Sequence, residues 1–298
     1  MGKFIGSVAA LAACAALGST AERSSAQAPA AAQADPWELH TTPESCYLSR
    51  RISSGPRAMD VLIHSFGSAS PYHVTVRGPG LPLLPDRAAV AQIGFGDQEP
   101  PADTFVLMGK AGNGPVALFV AAPPGRGSIH MMGSRYYGTH TDARIWAGVD
   151  PAGETLSLAM TGMDPLVLPL GPMESEYARL DDCAQTLENA WSSAASAGAT
   201  PVDAPKLHDP IEVSWHMKYP EDLLLNRVSG LVELRMTVDA KGRARNCVVQ
   251  LSTWGPRFGD ASCAHLQQIA RFDPAHDAQG NPVSSYFQTS AVFIIYNW

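Results

Sequence analysis

The sequence predicts an α+β chain of two domains: an antiparallel β-rich domain, sandwich- or barrel-like and closed by one helix, then a small domain ordered α-β-β-α-β. Three observations carry this. Short β-branched and apolar runs, broken by Gly, Pro, Asn and Asp, fill the region from Ile52 to Leu170. Apolar residues then recur at intervals of three and four from Met173 to Trp191, which is helical spacing. From Tyr219 onward, helix signals, strict two-residue alternation and turn residues follow one another in a consistent order.

In the first region the strand-like runs are Val61 to His64, His73 to Val76, Thr104 to Met108, Val116 to Ala121, Ala143 to Ala147, Thr155 to Met160 and Leu166 to Leu170. Turn residues separate them, as in Gly112-Asn113-Gly114 and Asp150-Pro151-Ala152-Gly153. Many short strands at such spacing argue for an antiparallel sandwich or a partly closed barrel. Met173, Tyr177, Leu180, Ala184, Leu187 and Trp191 then draw one apolar stripe along a closing helix. Ser192 to Pro210 is rich in Ala, Ser, Gly, Thr and Pro, the composition of a linker.

Pro220 opens a short helix reaching Arg227, where its missing N–H is no loss. Leu231 to Val238 alternates, with Val232, Leu234, Met236 and Val238 on one face and Glu233, Arg235 and Thr237 on the other. That is the pattern of a half-buried strand. Asp239-Ala240-Lys241-Gly242 turns the chain, and Arg243 to Ser252 returns as a second strand. Asp260 is placed to cap a helix running to about Arg271, and Phe272-Asp273-Pro274 ends it. A polar turn leads into a last strand, Tyr286 to Tyr296.

At 298 residues and 45% hydrophobic composition, the chain can bury two cores. Its 21 basic and 28 acidic residues leave a formal charge of -7, and no basic run tracks a phosphate backbone, so nucleic acid is not among the expected partners. The N-terminus reads as a secretory signal over residues 1–28, with Lys3 before the apolar stretch Phe4 to Gly18. Residues 29–36 form a short tether. A rival reading takes Leu11-Ala12-Ala13-Cys14 as a lipobox, with Cys14 acylated; membrane contact is expected only in that case or with an uncleaved N-terminus. Four other cysteines remain: Cys46, Cys183, Cys247 and Cys263. In an exported chain these point to disulfides. Three pairings are open, and the positions favour Cys46 with Cys183 and Cys247 with Cys263, each pair inside one domain.

The C-terminal motifs resemble the TonB C-terminal domain family. The matching pieces are Tyr219-Pro220; Ser229-Gly230-Leu231-Val232 with Thr237-Val238-Asp239-Ala240-Lys241-Gly242; and Arg271-Phe272-Asp273-Pro274-Ala275 with Gly280-Asn281-Pro282-Val283. The resemblance covers 211–298 only. It implies that a short extended peptide, the TonB box of an outer-membrane receptor, pairs alongside the final strand. A terminal strand is expected at a sheet edge, with unpaired N–H and C=O groups on offer. The positions implied for peptide binding are Tyr286, Gln288, Ser290, Val292, Ile294 and Tyr296. The partner implied is a TonB-dependent outer-membrane receptor or another envelope protein. Two departures stand out: a cleavable signal and a folded domain replace the usual membrane helix and Pro-rich arm, and Ser252-Thr253-Trp254-Gly255-Pro256 replaces the usual Ser-Ser-Gly.

Enzymatic motifs are absent: there is no Gly-x-Ser-x-Gly elbow, His-Glu-x-x-His or phosphate loop. His130, Met131, Met132 and His140 have copper-compatible donors without a defensible spacing, and Ile93-Gly94-Phe95-Gly96-Asp97 is half a dinucleotide fingerprint without its helix. Asp181 and Asp182 read as a solvated helix face, His265 and His276 as solvated polar positions, and Trp254 and Phe258 as packing residues. The expectation is a periplasmic, non-enzymatic protein without a cofactor: 1–28 signal, 29–36 tether, 37–191 β-rich domain, 192–210 linker and 211–298 TonB-like module. The rivals are a membrane- or lipid-anchored energy transducer, and an enzyme with its site in 37–191.

Overall fold

The computed structural model describes residues 35–54, 57–68, 70–83, 87–96, 102–112, 114–122, 131–136, 146–148, 154–196 and 199–295. The signal and lipobox readings, His130, His140 and Tyr296 lie outside these residues.

The first region is built from β1 (Glu38–Thr41), β2 (Cys46–Ser54), β3 (Arg57–Ser65), β4 (Tyr72–Arg77), β5 (Arg87–Phe95), β6 (Ala102–Ala111) and β7 (Gly114–Ala122). After β8 (Met131–Tyr136), it is completed by β9 (Trp146–Gly148), β10 (Thr155–Ala159) and β11 (Leu166–Pro169). Nine of these strands run in the order β1-β2-β3-β4-β7-β6-β5-β10-β11, and β9 lies parallel to β7 off that path. The sheet curls so that its ends approach. Trp37 near one end donates its indole N–H to the Leu170 carbonyl near the other at 3.1 Å, and Arg50 of β2 donates to the same oxygen. The concave face encloses the core, with Leu48, Ile63, Val74, Met108, Phe119, Leu156 and Leu168 all nearly inaccessible.

The apolar stripe on α1 (Glu174–Ser196) is buried as its spacing requires. Tyr177, Leu180, Ala184 and Trp191 are buried, and the Tyr177 ring stacks on Tyr72 at 5.6 Å. A disulfide joins Cys46 in β2 to Cys183 on this helix, closing a sequence separation of 137. Asp181 accepts a hydrogen bond from the Tyr72 hydroxyl at 2.9 Å, so that acid is not merely solvated.

The C-terminal region comprises β12 (Lys206–Leu207), α2 (Pro210–Trp215), α3 (Glu221–Leu225), β13 (Gly230–Val238), β14 (Ala244–Ser252), α4 (Arg257–Ile269), β15 (Phe272–Asp273), β16 (Ala275–His276), β17 (Pro282–Val283) and β18 (Ser285–Ile295). A four-stranded sheet runs β14-β13-β18-β8, its last member contributed by the first region. One face of β13 and β18 packs with the helices in a core of Val232, Leu234, Met236, Phe258, Leu266 and Phe293. The second disulfide, Cys247 with Cys263, ties β14 to α4. Gly242 takes a left-handed turn at φ 70° so tight that a side chain there would collide with the Phe272 carbonyl.

Several expectations need correcting. Asp260 does not cap its helix: α4 begins at Arg257 with Pro256 at the N-cap, and Asp260 sits in the first turn, where its charge faces the positive end of the helix. Within Ser192 to Pro210, α1 runs on to Ser196 and β12 pairs with β15. Ile93 to Phe95, from the run set aside as a dinucleotide fingerprint for want of its helix, end β5 in the curled sheet. His265 is partly buried and donates its Nε2–H to the Val213 carbonyl at 3.1 Å; burial first, then nearby His216 and Lys218, hold its pKa down. His276 pairs with Asp203 at 3.1 Å. Above all, β13 is not half-buried: Glu233 is fully inaccessible on the face that alternation assigns to water.

Candidate peptide-binding strand

The last strand, β18, is the feature that the sequence nominates, and three surroundings define it. On one side it pairs antiparallel with β13, from Ser285 opposite Val238 to Phe293 opposite Gly230. On the other side β8 pairs with it in parallel, setting Met131 to Tyr136 against Ser290 to Ile295. The strand is therefore an inner strand over its second half, and β8 does not reach its first half. A long apolar strand with an uncovered edge invites aggregation, and covering it with a strand of the same chain removes that hazard.

Alternation fixes which groups look toward that outer edge. Ile295 donates its N–H to the Ser229 hydroxyl, at the head of β13, at 3.0 Å. Odd-numbered residues of β18 thus turn their peptide groups to β13, and Ser290, Val292 and Ile294 turn theirs to the edge where β8 lies. These are three of the positions nominated from sequence. It is their main-chain groups, not their side chains, that line the edge.

Among the described residues, the nominated side chains point into the first region. Tyr286 packs edge-on to Trp191 at 6.0 Å, and its hydroxyl pKa is pushed up by burial and then by the neighbouring Glu188 carboxylate. Gln288 donates to the Phe66 carbonyl and to Gln250. Val292 and Ile294 join Leu231 against Phe105, Leu107, Leu118 and Val120, the convex side of β6 and β7. Trp254 seals this contact: its indole donates to the Ser229 carbonyl at 2.7 Å, and its ring lies so close over Gly109 that any side chain there would strike it. Packing is thus its role, and Phe258 is wholly buried in the helix-side core.

Ser290 is the most constrained of the set. It stands directly across from Glu233 in the β13–β18 register and donates its hydroxyl to Glu233 Oε1. The same oxygen lies 2.8 Å from His73 Nε2 of β4, with both side chains fully inaccessible. Two residues along β13, Arg235 makes a two-pronged contact with the Glu44 carboxylate at 2.8 and 3.1 Å, and its guanidinium lies 4.8 Å over the Trp191 ring. Sequence reading missed His73, Glu233, Arg235 and Glu44. The one available signal was two charges at strand-face positions of a strand otherwise dense in apolar residues.

The acid, serine and histidine do not form a catalytic relay, since the carboxylate sits between the other two and no histidine nitrogen reaches the hydroxyl. Among the described residues no group of three or more His, Cys, Asp or Glu is arranged to hold a metal. No helix among them is long and apolar enough to cross a membrane.

The family described as Gram-negative bacterial TonB protein C-terminal matches residues 215–295, from the end of α2 through β18. The resemblance read from the motifs is therefore a family match for this segment, and the segment is a TonB-like domain. That family serves envelope transport and protein interaction and is not one of enzymes. No curated protein matches the chain.

Proposed function

We propose that this chain is a periplasmic protein-binding protein whose TonB-like module takes an extended peptide, of the receptor TonB-box type, along the outer edge of β18. In this reading residues 37–191 and 211–298 are two domains joined by 192–210, delivered by a cleaved signal over 1–28, and the partner is a TonB-dependent outer-membrane receptor or another envelope protein. Neither catalysis nor a cofactor is involved.

The observation that carries the reading is a strand of the matched segment whose outer main-chain groups accept a further strand, as β8 does at Ser290 to Ile295. Strand addition draws affinity from main-chain hydrogen bonds, which any extended peptide supplies. The side chains of Tyr286, Gln288, Ser290, Val292 and Ile294 then act from beneath, by holding the strand flat against the first region, while Tyr296 extends the same row in sequence.

The test is fluorescence anisotropy of a labelled synthetic TonB-box peptide titrated with the full chain. Saturable binding that a scrambled peptide does not reproduce is the expected result. No binding, or equal binding of the scrambled peptide, contradicts the reading.

A further inference from the structure

The path of the chain around β8 is unusual. The chain leaves β7 at Ala122, lies against β18 from Met131 to Tyr136, and returns to β9, which pairs beside β7 again at Val120 to Ala122. A strand of the first sheet's connection is thus donated to the second sheet. It is also in contact with α2, so it is held from the strand edge and from the helix side. It covers the main-chain groups of Ser290, Val292 and Ile294, the half of β18 nearest the C-terminus.

We propose that Met131–Tyr136 is a built-in occupant of the peptide edge, a self-supplied strand that an incoming peptide must displace. This rests on the reading of β18 as the peptide-binding strand. Two strands cannot share one row of donors and acceptors, because each N–H and C=O on that edge is a single ladder site. Occupation from within the chain is intramolecular, so its effective concentration is set by the two connections, residues 123–130 and 137–145, and reaches the millimolar range for short links. A visiting peptide competes against that concentration. Its apparent affinity falls by the fraction of time the edge is vacant. The device keeps the module closed to weak or unrelated extended segments and covers an aggregation-prone edge until a matching partner arrives.

Amide hydrogen exchange on the full chain tests this without any partner. In the unaltered protein, the amides of Ser290, Val292 and Ile294 exchange at least about tenfold more slowly than those of Tyr286 and Gln288, which β8 does not reach. That order is the reverse of ordinary fraying at a strand end. Equal or faster exchange at Ser290, Val292 and Ile294 overturns the proposal.

The variant M132P/G133P removes two successive N–H groups, one of which faces β18 whichever way β8 is turned. It raises exchange at Ser290, Val292 and Ile294 about tenfold or more and leaves the amides of Gly230–Val238 unchanged; unaltered exchange at the three residues overturns the proposal. A synthetic peptide copying Met131–Tyr136 then binds this variant at least about tenfold more tightly than the unaltered chain, and equal binding to both, or to neither, counts against it. A freed edge that holds the copied peptide but no TonB-box peptide keeps the built-in occupant and removes the receptor reading, so the two failures are distinguishable.

Discussion

The two faces of β13 are buried by different means. Toward the helices, Val232, Leu234, Met236 and Val238 are all fully inaccessible among apolar neighbours, with the Phe258 and Phe293 rings stacked 4.6 Å apart. Toward the curled sheet, Leu231, Glu233 and Arg235 are also covered, but two of the three are charged, and each charge meets a partner from the first region. The difference teaches that alternation separates the faces of a strand without saying which face is wet. A polar face becomes a contact surface when another part of the chain supplies His73 and Glu44 at the matching heights.

The two kinds of burial should respond differently to substitution. Phe293→Ala, on the helix side, leaves a cavity beneath a stacked ring and should cost about 4 kcal/mol in denaturant unfolding. A loss under about 1 kcal/mol would mean that the helix-side core is not what holds the module together.

On the polar face, Glu233→Ala takes away the acceptor of the Ser290 hydroxyl and the carboxylate 2.8 Å from His73 Nε2, and should cost about 3 kcal/mol. The double variant H73L/E233L should cost less than the sum of its single changes, with a coupling of about 2 kcal/mol, because removing both polar partners spares the penalty of orphaning one. Strict additivity would show that the pair does not meet in solution.

The same face carries a pH response. His64 of β3 lies directly across from His73 of β4, with its ring edge-on to Tyr47 at 4.7 Å. Burial, then the neighbouring His73, push its pKa down to about 4. The unfolded chain takes up this proton near the ordinary histidine value of about 6.5, while the folded chain refuses it until about pH 4. The contribution of His64 to stability is therefore full above about pH 6.5, falls as the pH drops toward 4 and is exhausted below that. The loss is about 2.5 kcal/mol once residual exposure is allowed for. Urea unfolding of H64Q should show that stretch of the pH profile flattened; an unchanged slope would assign it to other groups.

The smallest contrast compares two arginine pairs. Arg235 is 15% exposed and bound to Glu44 and the Trp191 ring, so Arg235→Ala should cost about 1.5 kcal/mol. Arg257 pairs with Asp222 at 2.6 Å but is 60% exposed, and Arg257→Ala should cost no more than about 0.5 kcal/mol. Equal effects would erase the distinction between a covered polar face and an open surface.

What the sequence revealed follows the same division. The apolar stripe of α1, the hairpin of β13 and β14 and the last strand rest on local spacing, and both disulfide pairings follow from assigning each pair of cysteines to one of the two regions; these were legible. β2 and β5 were missed because Arg50-Arg51 and Gly94 interrupt their apolar runs, although Ile52 and Ile93 of those strands face the core. The pairing of β8 with β18 joins residues more than 150 positions apart and follows from no local pattern. The placement of Glu233 depends on His73 arriving from another sheet. Periodicity within β13 carries no information about that approach.

The most direct test of the account is an amide-exchange map of the full chain with and without a saturating synthetic TonB-box peptide. Peptide binding at the β18 edge should keep Ser290, Val292 and Ile294 protected while Met131–Tyr136 loses protection, because one strand has replaced the other. Protection changes confined to other elements, or a bound peptide that leaves Met131–Tyr136 as protected as before, would contradict it.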